Sequence, residues 1–390
     1  MKISIHDLVK EQQHYVIAMR RYFRMTPELG GQEFETQKKI ISELRSMGLE
    51  PRQAAGTGVV AEITGSRPGK MVAIRADIDG LPIQDEIDQP YRSQNAGVCH
   101  ACGHDGHTAM LLGLAKVFSG MRAELTGNIR LLFQPSEERF PGGALAMIAD
   151  GALDGVDTVI GAHLWQPLEV GTMGITYGPM MASPDEFTIT IQGCGGHGSM
   201  PQQTIDPIYV GAQIVLALKT ITGNQISTNE LAVLSLGVFK AGEVFNIIPD
   251  TAVLQGSVRT FSQRVRDTIF ACIEQLCSGI CAASGATYTL DNRNGFPPVI
   301  NNPQIARGVA AAGNAVLGES RVIEISPAMG AEDFSWYQQQ VPGCFMFIGI
   351  GNKEKGVSYP HHHPKFDMDE QALSYGVEIM AEAALRLLKS

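Results

Sequence analysis

The stretch CHACGHDGH at residues 99–107 decides how this chain of 390 residues is interpreted. It brings two thiols, three imidazoles and a carboxylate into nine positions. Thiolate and imidazole are preferred ligands of zinc and similar first-row metals. The apolar run that follows, residues 108–118, predicts a buried helix. We therefore expect a metal site in a loop that leads into a helix N-terminus, where free N–H groups favour the anionic forms of Cys102 and Asp105.

The cysteine pair has two other interpretations, a redox motif and half of a structural zinc site. A four-thiolate zinc site needs a second Cys-x-x-Cys, and the sequence contains none. A redox pair usually has no histidine cluster beside it. The Cys-x-His spacing of Cys102 and His104 therefore favours a catalytic type of metal site, with Cys99 as a buried neighbour.

Composition and charge narrow the class of protein. The length exceeds one ordinary core and predicts two domains. Hydrophobic residues make up 44% and charged residues 18%, which is typical of a globular protein. The net charge of -10 disfavours nucleic acid or an anionic membrane as partner, and no apolar run is long enough to span a bilayer. An odd count of seven cysteines and the lack of a signal-peptide pattern lead us to expect reduced thiols in the cytoplasm.

Three short apolar segments predict strands of a covered sheet, and each ends in groups that can bind a metal or act as bases. The segments are residues 71–77, 127–134 and 157–163. Asp77 and Asp79 stand at the end of the first, Glu137 and Glu138 follow the second, and His163 ends the third. Because α/β proteins build their sites at the carboxyl ends of strands, we expect these groups to meet at one edge of the sheet.

Residues 183–294 have a different pattern from the rest. Their order of strand, helix, two strands, helix and strand is typical of a ferredoxin-like α+β domain. Its first helix is predicted over residues 206–222. Residues 1–182 and 295–390 keep the α/β pattern, which includes a predicted helix over residues 303–317 and an apolar strand that starts at Cys344. The sequence therefore predicts an α/β catalytic domain with a mixed sheet, interrupted by an inserted α+β domain.

Nine motifs resemble those of the metal-dependent amidohydrolases of the aminoacylase and carboxypeptidase G superfamily. Within it, the group of hippurate hydrolases, auxin-conjugate hydrolases and N-acyl-amino-acid amidohydrolases is the most similar. The resemblance extends over nearly the whole chain. The motifs are RR-x5-PEL (20–29), RADIDGLP (75–82), HACGHDGHTA (100–109), QPSEE (134–138), GAH (161–163), GGHGSMP (195–201), NIIP (246–249), GAEDF (330–334) and HHPKF (362–366).

This resemblance implies a metallopeptidase-type catalytic domain with a site for two metal ions. Cys102 stands where a bridging ligand belongs. His104 and His163 would complete one site, and Glu138 and His362 the other. Five candidate ligands also exceed the four positions of one tetrahedral ion. We expect two divalent ions per chain: zinc, with manganese, cobalt or nickel as alternatives.

The resemblance also implies roles in catalysis and binding. Glu137 would be the general base, which takes a proton from water and gives it to the leaving amine. His197 would donate to the oxyanion from the inserted domain, which would act as a lid and a dimerisation domain. Asn246 and Arg259 would bind the substrate carboxylate. Asp77 would orient a metal ligand.

The implied reaction is hydrolysis of an N-acyl amino acid to a carboxylic acid and a free amino acid. N-acetyl, hippurate-like and indole-acetyl substrates all remain open. A dipeptidase or carboxypeptidase of the same fold is an alternative. So is a catalytically silent metal- or peptide-binding protein, which the intact Glu137 disfavours. The expected partners are a small-molecule substrate and a second copy of the chain, bound through the lid domain.

The chain departs from the family pattern at two positions. The family usually has His-x-x-Pro-Glu near the first turn, and here Arg24 replaces that histidine. Position 99 is usually not cysteine. We expect Arg24 to alter the entrance or the choice of substrate, and Cys99 to make the site sensitive to oxidation.

Overall fold

The computed structural model describes residues 4–389. The helices are α1 (Ile5–Met25), α2 (Phe34–Ser46), α3 (His104–Gly120), α4 (Ala144–Ala149), α5 (Pro207–Leu218), α6 (Ile221–Asn224), α7 (Gln263–Ser284), α8 (Pro303–Leu317), α9 (Ser335–Gln338) and α10 (Gln371–Leu387). The strands are β1 (Arg52–Ala54), β2 (Gly58–Thr64), β3 (Arg67–Asp77), β4 (Thr126–Gln134), β5 (Thr158–Glu169), β6 (Met173–Ile175), β7 (Pro179–Met181), β8 (Ser183–Gln192), β9 (Gly196–His197), β10 (Ala232–Ala241), β11 (Ile247–Ile248), β12 (Thr251–Thr260), β13 (Thr287–Arg293), β14 (Val299–Ile300), β15 (Val322–Glu324) and β16 (Gly343–Gly351).

The contacts between residues divide the chain into two compact units. The first runs to Met180 and includes Ile300–Ser326 and the chain from Asp333 onward. The second contains Met181–Val299 and Pro327–Glu332. The segment 183–294 that the sequence marks as an insertion lies inside the second unit. Its proposed role as a separate lid stays a prediction.

An eight-stranded mixed sheet organises the first unit, in the order β1-β2-β4-β3-β5-β16-β6-β15. The pairs β3–β4, β3–β5 and β5–β16 are parallel, whereas β1–β2, β2–β4 and β6–β16 are antiparallel. The central strands read as apolar runs because they are buried on both faces. The predicted α/β fold class with a mixed sheet is confirmed.

Helix α3 is deeply buried in the first unit. Almost every residue along it is buried, and it packs against α1 and α10. Gly113 allows this packing, because a Cβ there would come within 2.6 Å of Val16 Cγ2 on α1. The first residue of α3, His104, therefore stands on a helix fixed from several sides.

The second unit has a four-stranded antiparallel sheet in the order β10-β12-β8-β13, with α5 and α7 packed on it. This is the predicted order of strands and helices. Asp206 caps α5 by accepting from the Ile208 N–H at 2.9 Å. The predicted single helix over residues 206–222 is interrupted, because α5 ends at Leu218 and α6 begins at Ile221.

Strand β10 lies at an edge of this sheet and carries exposed apolar side chains at Val233, Val238 and Phe239.

Among residues 4–389, none of the helices combines the length and the apolar character that crossing a bilayer requires.

Candidate metal centre

Four segments that are distant in sequence deliver the five candidate ligands. Cys102 lies just before α3, and His104 is the first residue of that helix. The helix therefore begins inside the cysteine-histidine cluster, whereas the sequence predicted a loop there. Glu138 follows β4, and His163 lies within β5, which continues to Glu169 instead of ending at the histidine. His362 comes from the segment between β16 and α10.

The side-chain atoms of these residues form two groups that share one thiol. In one group the donor atoms of Cys102, His104 and His163 lie within 4.8 Å of one another, and in the other those of Cys102, Glu138 and His362 do. His163 Nε2 is 3.4 Å from Cys102 Sγ. Glu138 Oε1 lies 3.2 Å from His362 Nε2 and 3.9 Å from His104 Nε2. These five residues would offer three ligand atoms to each of two ions if both used the Cys102 thiolate.

The imidazole of His163 is set up as a neutral ligand. Its Nδ1 donates to the Leu164 carbonyl oxygen at 2.9 Å, because that oxygen can only accept. The lone pair is then on Nε2, the atom that faces Cys102. Burial holds the pKa of His163 well below its usual value, which keeps the ring uncharged.

His104 supplies the test of whether an ion fits. Its Nδ1 lies 3.1 Å from Asp79 Oδ1, so a neutral ring has its proton on Nδ1 and its lone pair on Nε2. That Nε2 is buried and has no hydrogen-bond partner among residues 4–389. Buried polar atoms are rarely left unpaired, and a metal ion satisfies a lone pair of this kind. The donor set therefore fits divalent metal ions.

The electrostatics of the site also call for a cation. Burial, followed by Glu138 and Glu137, raises the pKa of Cys102 well above its usual value, so the expectation that the helix end favours the thiolate is wrong for the protein alone. For His104, burial lowers the pKa, but Asp77, Asp79 and Glu138 outweigh it and raise the pKa to about 10. A bound cation reverses this balance and stabilises the deprotonated forms.

Glu137 lies next to these ligands. Its carboxylate, that of Glu138 and the ring of His104 have atoms within 4.8 Å of one another. Both glutamates are only partly buried. The turn before them is unusual because Ser136 has a φ of 57°, a left-handed conformation that L side chains rarely adopt. The Ser136 N–H donates to Glu33 Oε1 at 2.9 Å, which holds the turn.

Asp79, rather than Asp77, positions the candidate ligands. Its Oδ1 faces His104 Nδ1, and its Oδ2 accepts from the Glu138 N–H at 3.0 Å. Asp77 instead contacts His107 Nδ1 at 2.6 Å and lies 3.6 Å from His104 Nε2. The hydrogen bonds to candidate ligands that we expected of Asp77 are thus made by Asp79. Sequence reasoning also missed Glu33, for which no motif gave a signal.

His107 is a supporting residue, as its ring nitrogens show. Nδ1 is bound to Asp77, and Nε2 accepts from the Leu164 N–H at 2.8 Å. Neither nitrogen has a lone pair left for an ion. Asp77 is itself held by Arg75 Nη1 at 2.6 Å.

His197 and Asn246 lie together in the second unit. Strand β9 pairs with β11, which sets His197 opposite Ile247, and the Gly198 N–H donates to the Asn246 carbonyl at 2.9 Å. His197 Nδ1 accepts from the Ser199 N–H at 3.1 Å. The proton of the neutral ring is therefore on Nε2, which makes that atom a donor.

Arg259 lies in β12 of the same unit, between Val233 of β10 and Pro184 of β8. Its side chain is half-buried and makes no hydrogen bond or ion pair within the described part of the chain. A cation of this kind is available to an anionic ligand.

The two departures from the family pattern behave differently from expectation. The Arg24 side chain is fully buried and paired with Asp85, so it cannot line an entrance. Cys99 is also fully buried. Burial is the main reason that the pKa of its thiol rises to about 12, and a thiol in this state is a poor target for oxidants.

The chain is similar to several known proteins. The profile of peptidase family M20/M25/M40 matches residues 73–386. An N-acyl-L-amino acid amidohydrolase of Geobacillus stearothermophilus is 50% identical over 301 residues, which cover 77% of this chain and 81% of that protein. Thermostable carboxypeptidase 2 of Saccharolobus solfataricus is 40% identical over 382 residues, which cover 97% of this chain and 96% of that protein. The crystal structure of Bacillus subtilis YXEP, described as a dinuclear metal binding peptidase from the M20 family, has a TM-score of 0.86 at 37% identity and covers 97% of this chain and 99% of its own.

Proposed function

The chain belongs to peptidase family M20/M25/M40, and we propose that it hydrolyses the amide bond of N-acyl amino acids with two divalent ions bound per chain. The observation that carries the proposal is the pair of donor groups that share Cys102, with Glu137 beside them. The similarity to an N-acyl-L-amino acid amidohydrolase supports the class of substrate.

The chain's own residues move the protons in this reaction. Bound divalent ions would supply Lewis-acid chemistry that acidifies water and polarises the substrate carbonyl. Glu137 takes the proton of the attacking water at its carboxylate. It then returns this proton to the amine nitrogen as the C–N bond breaks, which gives a carboxylic acid and a free amino acid.

Residues of the second unit bind charge on the substrate. His197 donates its Nε2 proton to the oxyanion that forms on the carbonyl oxygen, a role that its tautomer supports. The unpaired guanidinium of Arg259 and the side-chain amide of Asn246 hold the carboxylate of the amino acid. In this proposal residues 183–294 form a lid and dimerisation domain, and residues 1–182 and 295–390 form the catalytic domain.

Metal identity, assembly and location follow from separate observations. The thiol of Cys102 favours zinc, with manganese, cobalt or nickel as alternatives. The exposed apolar edge strand β10 favours a homodimer through the second unit. All seven cysteines are free thiols, which favours the reducing cytoplasm.

The test combines metal analysis with a panel of substrates. We expect about two ions per chain and chelator-sensitive hydrolysis of N-acetyl-methionine, hippurate or an indole-acetyl amino acid. Glu137→Gln should lower turnover by about 10²–10⁴-fold while both ions stay bound. Glu43→Gln, which changes a partly buried glutamate paired with Lys39, is the control and should keep wild-type turnover. Wild-type turnover in Glu137→Gln would refute the assignment of the base.

A peptidase is the second candidate, because thermostable carboxypeptidase 2 is 40% identical over nearly the whole chain. A free dipeptide in the same panel separates the two. Cleavage of the dipeptide at least as fast as the best N-acyl amino acid would favour the peptidase. No metal binding and no hydrolysis after addition of zinc, manganese or cobalt would leave a silent binding protein.

A further inference from the structure

Arg24 is fully buried and uses its whole guanidinium. Its Nε and Nη2 donate to the two carboxylate oxygens of Asp85 at 2.9 and 3.0 Å. Nη1 donates to the His100 carbonyl at 2.6 Å, and Nη2 also donates to the Phe366 carbonyl at 2.8 Å. We call Arg24, Asp85 and these two carbonyls the Arg24 clamp.

The two carbonyls belong to the two segments that carry candidate ligands of the same ion. His100 lies two residues before Cys102, and Phe366 lies four residues after His362. The segments also touch directly, because the His362 N–H donates to the Ala101 carbonyl at 2.8 Å. The Arg24 clamp therefore joins the backbone that carries Cys102 to the backbone that carries His362.

The backbone of His362 needs such support. Its φ is 63°, a left-handed conformation that is strained for an L side chain and that persists only where the surroundings fix it. The His362 side chain is 51% exposed, so packing alone does not hold it. The His362 N–H is bound to Ala101, and farther along, the chain is held at Pro364, whose carbonyl accepts from the Glu86 N–H at 2.9 Å, and at Phe366 by the clamp.

The other donor group shares Cys102, but its two histidines have supports of their own. His104 is held by Asp79 and by its place at the start of α3, and His163 is held within β5 and by the Leu164 carbonyl. The segment that contains Phe366 reaches His163 only indirectly, because His361 Nε2 donates to the same Leu164 carbonyl at 2.9 Å.

We propose that Arg24 is a positioning residue that fixes the distance between Cys102 and His362, and so sets the affinity of the ion held by Cys102, Glu138 and His362. The inference rests on the two-ion site of the proposed function. It explains why an arginine suits this position, since one rigid fork binds a carboxylate and two carbonyls at once. The ion held by Cys102, His104 and His163 shares Cys102 but also has two histidines that the clamp does not bind, so it depends less on Arg24.

The experiment is a cobalt titration of metal-free protein. Absorption of the thiolate-to-cobalt band follows Cys102, and elemental analysis counts the ions. The variant is Arg24→Met with Asp85→Asn, which removes the guanidinium without leaving a buried charge unpaired. We expect the ion held by Cys102, Glu138 and His362 to bind about 10–100-fold more weakly, the range for residues that orient metal ligands, and the other ion to lose less affinity.

The control is Arg130→Met. Arg130 is also buried, pairs with Glu62 and donates to the carbonyls of Ala152 and Asp154, but it contacts no ligand segment. It should bind both ions as wild type does, even if it unfolds at a lower temperature. Should the double variant not fold, Arg24→Lys takes its place, because an ammonium group can pair with Asp85 but cannot span both carbonyls.

The outcomes are separable from those of the proposed function. Two wild-type affinities in the Arg24 variants would overturn the inference, as would an equal loss of both ions. Fewer than two ions in the wild type would overturn it as well. A wild type that binds two ions but hydrolyses no N-acyl amino acid would refute the proposed reaction and leave this inference standing.

Discussion

Replacing Asp79 by asparagine should weaken metal binding through a change of tautomer. Asp79 has two acceptor oxygens, one for His104 Nδ1 and one for the Glu138 N–H. Asparagine has one oxygen and one NH2 group. If the oxygen keeps the Glu138 N–H, the NH2 group donates to His104 Nδ1, and the ring proton moves to Nε2. The lone pair that faces the candidate site is then lost.

The other orientation of the asparagine is no better, because its NH2 group would then oppose the Glu138 N–H. One orientation therefore disturbs His104 and the other disturbs Glu138, and both residues are candidate ligands. Hydrogen bonds to charged groups contribute about 1.5–3 kcal/mol. Loss of a residue that orients a metal ligand lowers affinity about 10–100-fold, which corresponds to about 1.4–2.7 kcal/mol. We expect Asp79→Asn to fall in this range.

The assay is competition for zinc with a chromophoric chelator, together with elemental analysis of the ions retained. Asp185→Asn is the matched control. Asp185 is a fully buried carboxylate that binds Arg266 and the Gly295 N–H in the second unit, with no candidate ligand among its partners. The Asp185→Asn variant should have a lower free energy of unfolding than the wild type but the same affinity for zinc. Wild-type zinc affinity in Asp79→Asn would refute the reasoning, and so would an equal loss in both variants.

Two further predictions concern the second unit and acid stability. His197→Ala should lower kcat by about 10²–10³-fold with the number of bound ions unchanged, because one oxyanion donor is lost; steady-state kinetics and elemental analysis check this, and an unchanged kcat contradicts it. Asp367→Asn should make the free energy of unfolding less dependent on pH at acidic pH. Burial raises the pKa of Asp367, but Arg20, 2.6 Å away, outweighs it and holds the pKa below 3.8. The stabilisation is present above pH 4 and is lost as pH falls through the lowered pKa. Urea unfolding at pH 7, 4 and 2.5 should show that the free energy of unfolding falls less with pH in the variant than in the wild type. An equal fall in both proteins would exclude this contribution of Asp367.

The sequence predicted the elements of the fold well because their patterns are local. The apolar runs that became β4, α3 and β16 are long enough to read directly, and α8 has the predicted bounds of residues 303–317. The helix over residues 206–222 was extended too far, since its apolar run continues through the break between α5 and α6.

The site was harder to predict in its supporting contacts than in its candidate ligands. Asp77 and Asp79 are two residues apart and equivalent in pattern, so only the packing of α3 against the sheet decides which one forms the hydrogen bond with His104 Nδ1. The burial of Arg24 and Cys99 depends on segments hundreds of residues away, such as the one that contains Phe366. The direction of the pKa shift of Cys102 was predicted from the helix N-terminus alone. Its burial and its proximity to Glu138 both result from the packing of segments that are distant in sequence.

The position of β16 has a consequence for how the chain is assembled during synthesis. This strand, at residues 343–351, fills the place between β5 and β6, both of which are made more than 160 residues earlier. The four main strands of the second unit all lie between residues 183 and 293, so that sheet can form first. A growing chain therefore carries an open gap in its large sheet until residue 351 has left the ribosome. During that time the edges of β5 and β6 are unpaired, and chaperone binding or aggregation should concentrate there.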